Sequence, residues 1–431
     1  MPETFLYFLW QYQYFQHLNL RTTAGEPLRV LHPGYRNANA GPDFSNARLV
    51  LNDVNWVGMV EAHTRTSDWL AHRHQHDRAY DNVILHIVWE DDLGNGDRAL
   101  RRTDGSLLPT LALKPLTADT LLDRYGRLHD TPTPIPCAGQ LRSVNPLKLT
   151  SMLDKAMLQR LERKAQVVQA VYDATGADWE ETTYRLLAAN FGFKLNAEPM
   201  EQLARALPLK ILRKHGDTLG QLEALLFGTA GWLDDAAPTD DYVATLRREY
   251  RFLAAKYALT DKQLPPAVWK WGRLRPASFP TLRLAQFARL LNSARSLTTL
   301  LLDTDDLPTL LKPLTVTPSP YWQTHYRLGV PSEKVAATLG RASAENIVIN
   351  TAVPLLAAYA HHRAEPSYID RAVALLEQLP AEQNHITADW DALGLSVRTA
   401  FDSQAVLELN NAFCAHKKCL SCQIGLALVR G

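Results

Sequence analysis

The chain has 431 residues, 46% of them hydrophobic and 21% charged, and its 46 basic and 45 acidic side chains leave a formal charge of +1. This composition is typical of a globular protein of two or three domains, and it excludes a disordered, collagenous or uniformly basic chain. Because four cysteines are too few for a disulfide framework, and neither a signal peptide nor a bilayer-spanning apolar run is recognisable, we expect a cytoplasmic protein without a membrane partner.

The first 115 residues predict a small domain of mixed helices and strands. Its predicted elements are a helix over 5–15, a strand over 28–31, a hairpin of strands 43–51 and 56–64, a helix over 69–80, and strands over 82–90 and 107–113. The residues Asn52 to Asn55 suit the hairpin turn, and Gly94 to Asp97 predict a turn before the last strand. The order is therefore α-β-β-β-α-β-β.

The rest of the chain predicts helices, so the fold class is α+β. The predicted helices cover 151–172, 181–191, 199–214, 218–228, 241–258, 281–293, 333–339, 345–361, 367–378 and 399–413. A proline-rich segment at 131–137 predicts a domain boundary near 135. We expect an α/β domain over 1–135 and a helical domain over 136–431 that the C-terminal cysteines close.

Acidic and histidine side chains are concentrated between residues 41 and 86. Pairing within the hairpin brings Asp43 and Glu61 to the same end of the two strands, and Glu61 and His63 share a face because they are two apart. Two carboxylates with the Ala62 carbonyl offer the oxygen ligands that Mg²⁺ or Mn²⁺ prefers. The alternative is a polar strand end satisfied by turns, with His72 to Arg78 as a solvated helix face and His86 as a core residue.

These residues resemble the PD-(D/E)XK nuclease superfamily, whose core is α-β-β-β-α-β. Pro42-Asp43 takes the place of the family's Pro-Asp, and Glu61-Ala62-His63 takes the place of acid-X-Lys, with His63 where the family has lysine. The resemblance implies metal-assisted phosphodiester hydrolysis with Asp43 and Glu61 as ligands. It implies His63 as the residue that orients water or stabilises charge, and His72 or Asp77 as the group that protonates the leaving oxygen or contacts phosphate. Glu3 is a weaker candidate for a supporting acid.

The whole chain also resembles an uncharacterised bacterial family that is known as a domain of unknown function. The stretches that carry this resemblance are 41–44, 56–63, 67–69, 81–86, 275–280 and the terminal cysteine run. Three functions stay open at this point. The first is a metal-dependent nuclease, the second is a non-catalytic scaffold that keeps the nuclease fold and binds nucleic acid or protein, and the third is a zinc-dependent hydrolase using His72, His74 and His76, which lacks HExxH spacing.

The middle of the chain is basic and aromatic. Between residues 246 and 295 there are eleven Lys and Arg against two acids, and Lys270, Trp271, Arg273 and Arg275 alternate cations with an aromatic face. Such a combination binds phosphates and stacks bases, so these four residues are candidates for contacting nucleic acid. An ordinary basic helix face with a core tryptophan is the alternative. Because glycine-rich phosphate loops are absent from the sequence, no nucleotide cofactor is expected.

The C-terminus carries three closely spaced cysteines. Cys414, Cys419 and Cys422 form a C-x4-C-x2-C pattern, and Cys137 is the remaining cysteine of the chain. We predict that the four thiols bind a structural Zn²⁺ or an iron–sulfur cluster, and His416 is the substitute for a fourth ligand. Buried thiols without a metal are the alternative.

Overall fold

The computed structural model describes residues 1–37, 39–93, 99–234, 240–304, 306–333 and 335–431. The predicted turn at 94–97 lies outside these residues. The chain divides into two compact units, of which unit 1 is Met1–Met152 with Asn410–Gly431 and unit 2 is Leu153–Leu409. The proline-rich segment at 131–137 lies within unit 1. The predicted α+β class is confirmed, with a sheet near the N-terminus followed by helices.

Unit 1 begins with a helix and a mixed sheet. Up to residue 129 its elements are α1 (Glu3–Tyr12), β1 (Leu28–His32), β2 (Tyr35–Arg36), β3 (Phe44–Leu51), β4 (Val54–Arg65), α2 (Asp68–Ala71), β5 (Val83–Glu90), β6 (Thr110–Ala112) and α3 (Asp119–His129). A long helix, α4 (Pro146–Ala174), runs from unit 1 into unit 2.

Apart from loops, the described residues of unit 2 form helices and one small hairpin. Its further elements are α5 (Trp179–Phe191), α6 (Phe193–Ala206), α7 (Leu209–Leu212), α8 (Leu219–Thr229), α9 (Asp241–Tyr257), α10 (Pro280–Ser293), α11 (Leu297–Leu302), α12 (Leu307–Leu314), β7 (His325–Arg327), β8 (Val330–Pro331), α13 (Arg341–Ile347), α14 (Val353–Arg363), α15 (Ser367–Gln378), α16 (His385–Ala392) and α17 (Ala400–Leu409). The last helix, α18 (Gln423–Arg430), belongs to unit 1.

The sheet of unit 1 has the strand order β1-β3-β4-β5-β6, and β2 pairs with β3. Strands β1, β3 and β4 are antiparallel, whereas β4, β5 and β6 are parallel. The predicted hairpin is confirmed, but its turn has two residues rather than four, because Leu51 pairs with Val54. Asn52 and Asp53 both have positive φ, as a tight hairpin turn of this hand requires.

Burial of both faces explains why β5 is apolar except for His86 and the terminal Glu90. Its residues from Val83 to Trp89 are buried, as is usual for a strand with parallel neighbours. One side is covered by α1, whose Phe5 ring lies 6.1 Å from that of Trp89 and 4.4 Å from that of Tyr125. A small apolar cluster that includes Trp69 and Val83 forms a further part of this core.

The predicted helix over 69–80 is wrong. Helix α2 ends at Ala71, and two 3₁₀ turns follow at His74–His76 and Arg78–Tyr80. The break lies at Arg73, whose φ of 62° is left-handed and cannot continue an α-helix. As a result His74 is buried, whereas a continuous helix would have left it on an exposed face.

Unit 2 packs its helices around one large apolar core. The predicted helix over 333–339 is wrong for the residues that are described there, because they follow the β7–β8 hairpin and the Leu339 N–H donates to the Val316 carbonyl. Among the described residues of the chain, no helix combines the length and the apolar character that crossing a membrane requires.

Candidate functional site

The carboxylates of Asp43 and Glu61 are joined by reciprocal hydrogen bonds to the backbone, just before β3 begins and towards the end of β4. The register pairs Phe44 with Val60, so the two acids lie opposite each other. The Asp43 N–H donates to Glu61 Oε2 at 3.0 Å, and the Ala62 N–H donates to Asp43 Oδ2 at 3.1 Å. Each carboxylate therefore accepts a backbone N–H from the opposite strand. These two hydrogen bonds hold both side chains at the same end of the hairpin.

Helix α1 and strand β2 add a second layer of polar side chains. Arg36 Nη1 lies 2.8 Å from Asp43 Oδ1, and its guanidinium lies 3.8 Å from the centre of the Tyr7 ring. Tyr7 donates to Glu3 Oε2 at 3.2 Å. Sequence reasoning missed Arg36 and Tyr7, although the four-residue spacing of Glu3 and Tyr7 on a helix was a usable signal.

Burial makes ionisation of the two acids unfavourable. Burial raises the pKa of Glu61 to about 8, with a further contribution from the neighbouring Asp43 carboxylate. Burial also raises the pKa of Asp43, and Arg36 offsets part of this effect. A pair of desolvated acids is a site at which a bound cation strongly stabilises the charged forms.

Four histidines lie beside Glu61. His63 Nδ1 is 2.9 Å from His86 Nε2, and His63 Nε2 is 3.0 Å from His72 Nδ1. His86 lies next to Glu61 in the parallel pairing of β4 with β5. The three rings therefore form a hydrogen-bonded row from the buried His86 to the exposed His72, in which the tautomers decide the donors.

His74 is the fourth histidine of this group. Its Nε2 lies 3.7 Å from Glu61 Oε1, and His63 Nε2 lies 3.5 Å from the same oxygen. The His74 ring stacks on Tyr80, with 3.7 Å between ring centres. The sequence left His74 either on a solvated helix face or as a zinc ligand with His72 and His76, because the left-handed residue Arg73 that precedes it has no sequence signal of its own.

The buried histidines are held neutral. Burial lowers the pKa of His63 to about 3, and His74 and His72 lower it further. Burial likewise lowers the pKa of His74 and of His86. At neutral pH these rings therefore present nitrogen lone pairs, and His63 does not supply the permanent positive charge of the lysine that it replaces.

The structure brings together five of the polar residues of this region: Asp43, Glu61, His63, His72 and His74. One ring nitrogen from each of the three histidines lies within 4.8 Å of the others. His76 is exposed and lies outside this group. Asp77 is also exposed, and its Oδ1 accepts the Ala79 N–H at 2.9 Å.

The four cysteines all belong to unit 1. Cys137 precedes a 3₁₀ turn at Ala138–Ser143, Cys414 ends a π-helical turn at Asn410–Cys414, and Cys422 is the N-cap of α18. Lys417 fixes the loop before Cys419, because its Nζ donates to the His129 carbonyl at 2.6 Å. The polypeptide around residue 137 and the C-terminus are thus held side by side.

Charge interactions show that the four sulfurs are neighbours. Burial raises the pKa of Cys137 to about 12 and that of Cys419 to about 11, and in both cases Cys422 contributes. Burial and the three other cysteines raise the pKa of Cys414. Among the described residues, which include all four cysteines, only the histidine group brings three or more ligand atoms within 4.8 Å of one another. The sulfurs are therefore more widely spaced than the histidine nitrogens.

The basic residues predicted to contact nucleic acid lie in unit 2. Lys270, Arg273 and Arg275 are exposed. Trp271 is half-buried, its ring lies 5.4 Å from that of Phe279, and the Arg327 guanidinium lies 4.9 Å from its centre. Part of the tryptophan is thus used in packing, while the neighbouring cations face solvent.

Comparison with known proteins identifies the family. The profile described as "Protein of unknown function (DUF2851)" matches residues 3–385, so the chain belongs to this family. The searches of curated proteins and of solved structures found no match.

Proposed function

We propose that the protein is a metal-dependent phosphodiesterase that acts on nucleic acid. The observation that carries this proposal is the hydrogen-bonded pair of acids Asp43 and Glu61. They lie where the antiparallel part of the sheet meets the parallel strand β5. A helix precedes the meander and a short helix precedes the parallel strand, in the order of the PD-(D/E)XK core. His63 two residues after Glu61 takes the position of the nuclease lysine.

The residues present fit a divalent cation, since Asp43 and Glu61 offer hard oxygen ligands that burial holds in place. Bound Mg²⁺ or Mn²⁺ would polarise the phosphate and favour ionisation of the attacking water. Asp43 and Glu61 would hold the ion, and the neutral His63 would orient the water through a ring nitrogen. His72 is exposed and contacts His63, so it is the histidine that is placed to exchange a proton with substrate and solvent.

Arg36 compensates for the missing lysine. Its guanidinium is permanently charged, partly exposed and 2.8 Å from Asp43. We therefore assign to Arg36 the stabilisation of negative charge that develops on the phosphate. The exposed cations Lys270, Arg273 and Arg275, with Trp271, would contact the backbone of the nucleic acid.

We also propose that the four cysteines bind a structural metal. Four buried or half-buried thiols in one cluster suit a structural metal centre in the reducing cytoplasm, where thiols persist unpaired. Sulfurs around a tetrahedral Zn²⁺ lie roughly 3.8 Å apart for Zn–S bonds of about 2.3 Å. Four cysteines suit either a tetrahedral Zn²⁺ or an iron–sulfur cluster, and metal analysis distinguishes the two.

The test is hydrolysis of labelled single- and double-stranded DNA and RNA by the full chain with Mg²⁺ or Mn²⁺. We expect cleavage by the wild type. The cleavage rate should fall at least about a hundredfold in Glu61→Ala and in Asp43→Ala, because each change removes a ligand of the proposed cation. Glu90→Ala, at an exposed acid at the end of β5, is the matched variant and should lose far less. Circular dichroism checks that each variant folds.

A non-catalytic scaffold predicts the opposite pattern. Such a protein would bind nucleic acid with steep salt dependence, Arg273→Glu with Arg275→Glu would weaken that binding, and no substrate would be cleaved with either metal. Binding without cleavage in all of these substrates would overturn the assignment as an enzyme.

A further inference from the structure

Glu61 lies between two chemically different sets of ligands. On one side its Oε2 accepts the Asp43 N–H at 3.0 Å, among oxygen ligands. On the other side its Oε1 lies 3.5 Å from His63 Nε2 and 3.7 Å from His74 Nε2. The oxygen side suits Mg²⁺ or Mn²⁺, whereas imidazole nitrogens suit later transition metals such as Co²⁺ or Zn²⁺.

We propose that His63, His72 and His74 form a binding site for one transition-metal cation, with three imidazole nitrogens as ligands and the Glu61 carboxylate beside them as a compensating negative charge. The site goes beyond the oxygen-ligated cation of the proposed function. It concerns metal binding alone and does not depend on hydrolysis.

The spacing of the ligand atoms supports this site. Two ligands that each lie about 2.1 Å from one ion are roughly 3.0 to 3.4 Å apart, for angles between 90° and 109°. His63 Nε2 and His72 Nδ1 are 3.0 Å apart, and the Glu61–His63 and Glu61–His74 distances are 3.5 and 3.7 Å. The His63–His72 distance is one that a single ion imposes, and a His74 nitrogen lies within 4.8 Å of both, whereas among the described residues Glu61 is not within that distance of all three.

The surroundings of the histidines also favour a metal. His74 Nε2 is buried and has no hydrogen-bond partner among the described residues, although it points towards Glu61. A buried polar atom without a partner is unfavourable, and a cation at this position would satisfy it. His63 Nδ1 contacts His86 Nε2 at 2.9 Å, which provides the second contact that orients most metal-binding histidines.

Binding of an ion changes what these rings can do. A histidine that donates its lone pair to a metal cannot also accept a proton at that nitrogen. His63 and His72 are therefore either metal ligands or carriers of protons, and a metal titration separates the two roles.

The experiment is a titration of the metal-stripped full chain with Co²⁺, followed by visible absorption and calorimetry. Cobalt bound by nitrogen and oxygen shows weak d–d bands, whereas cobalt bound by the cysteines shows an intense sulfur charge-transfer band, so the two sites are distinguished. Besides any sulfur charge-transfer band from the cysteines, we expect one equivalent of Co²⁺ that shows d–d bands without sulfur charge transfer. His72→Gln and His74→Gln should each weaken it by at least about tenfold, and excess Mg²⁺ should not displace it.

His76→Gln is the matched control, because His76 is exposed and lies in the same short segment. It should bind Co²⁺ as the wild type does. His74 packs on Tyr80, so its variant is accepted only if circular dichroism shows a folded chain; otherwise the exposed His72→Gln decides.

Three outcomes separate this site from the proposed function. Equal Co²⁺ affinity in the wild type, His72→Gln and His74→Gln overturns the three-histidine site, as does the absence of d–d bands from the wild type. Co²⁺ binding as expected in a chain that cleaves no nucleic acid would support the site and overturn the proposed function. Cleavage with Mg²⁺ in a chain without the Co²⁺ site would do the reverse.

Discussion

Two clusters of potential metal ligands lie in unit 1, and they differ in how their atoms are spaced. One nitrogen from each of His63, His72 and His74 lies within 4.8 Å of the others, with Glu61 alongside, whereas the four cysteine sulfurs are more widely spread. The histidine nitrogens are thus close enough for one ion to contact all three, whereas no three sulfurs of the described cysteines lie within 4.8 Å of one another. The two clusters therefore differ in ligand spacing as well as in ligand type.

The largest effect is expected at the cysteines. Cys137→Ser removes one sulfur of the proposed metal centre, and because metal binding contributes to folding it should lower the free energy of unfolding by several kcal/mol, on the order of 5. Denaturant unfolding and the iron and zinc content measure the two losses. The exposed His416→Ala is the matched control and should keep both. A metal loss in His416→Ala equal to that in Cys137→Ser would instead assign His416 as a ligand.

The packing beneath the cysteines gives a smaller effect. A Cβ on Gly425 in α18 would lie 2.2 Å from the Cys419 carbonyl oxygen, so Gly425→Ala forces the 3₁₀ turn and the helix apart. We expect a loss of about 1 to 3 kcal/mol in the free energy of unfolding.

Gly220→Ala is the matched control for Gly425, since it lies in α8 and its added Cβ meets no atom within 4 Å. It should be neutral or stabilising by up to about 1 kcal/mol, because alanine favours helix more than glycine does. Equal effects at the two glycines would contradict the close contact between the cysteine turn and α18.

The last effect concerns the pH dependence of the free energy of unfolding, to which Glu61 contributes when no metal is bound. The pKa of Glu61 is about 8 in the folded chain against 4.5 as its ordinary value, so the folded state keeps a proton that the unfolded chain loses between these values. The stability that this proton contributes is complete below pH 4.5 and is lost as the pH rises through 8. The lowered pKa of His63 acts in the opposite direction, but only between about 3 and 6.5.

Above pH 6.5, therefore, only Glu61 of this pair acts. We expect this loss in the presence of a chelator that removes bound metal. Between pH 6.5 and 8.5 the free energy of unfolding of the wild type should fall by about 2 kcal/mol more than that of Glu61→Gln, because the glutamine amide does not titrate. Denaturant unfolding at several pH values measures the difference. Parallel curves for the two proteins would contradict the raised pKa.

Local sequence patterns predicted the parts of this site that depend on neighbouring residues. Alternation along β3 and β4 and the Asn52-Asp53 turn predicted that Asp43 and Glu61 lie together, and the register confirms that they are opposite. The buried run of β5 was also visible in the sequence. Such features follow from side-chain periodicity and turn chemistry, which a single sequence contains.

The contacts that complete the site depend on tertiary structure instead. His74 reaches Glu61 because Arg73 adopts a left-handed conformation, which its own side chain does not favour. His86 reaches His63 through the parallel pairing of β4 with β5, and Arg36 reaches Asp43 through the two-residue strand β2. These arrangements depend on packing between elements that are distant in sequence, so periodicity did not predict them.

Elemental analysis of the purified chain, compared with Cys137→Ser and His72→Gln, would decide whether unit 1 contains two separate metal centres. After expression with iron, zinc and manganese supplied, we predict that the wild type contains sulfur-bound iron or zinc and a second transition metal. Cys137→Ser should lose the first and keep the second, and His72→Gln should do the reverse. A wild type that holds neither metal, or a single metal that both variants lose, would contradict the presence of two centres.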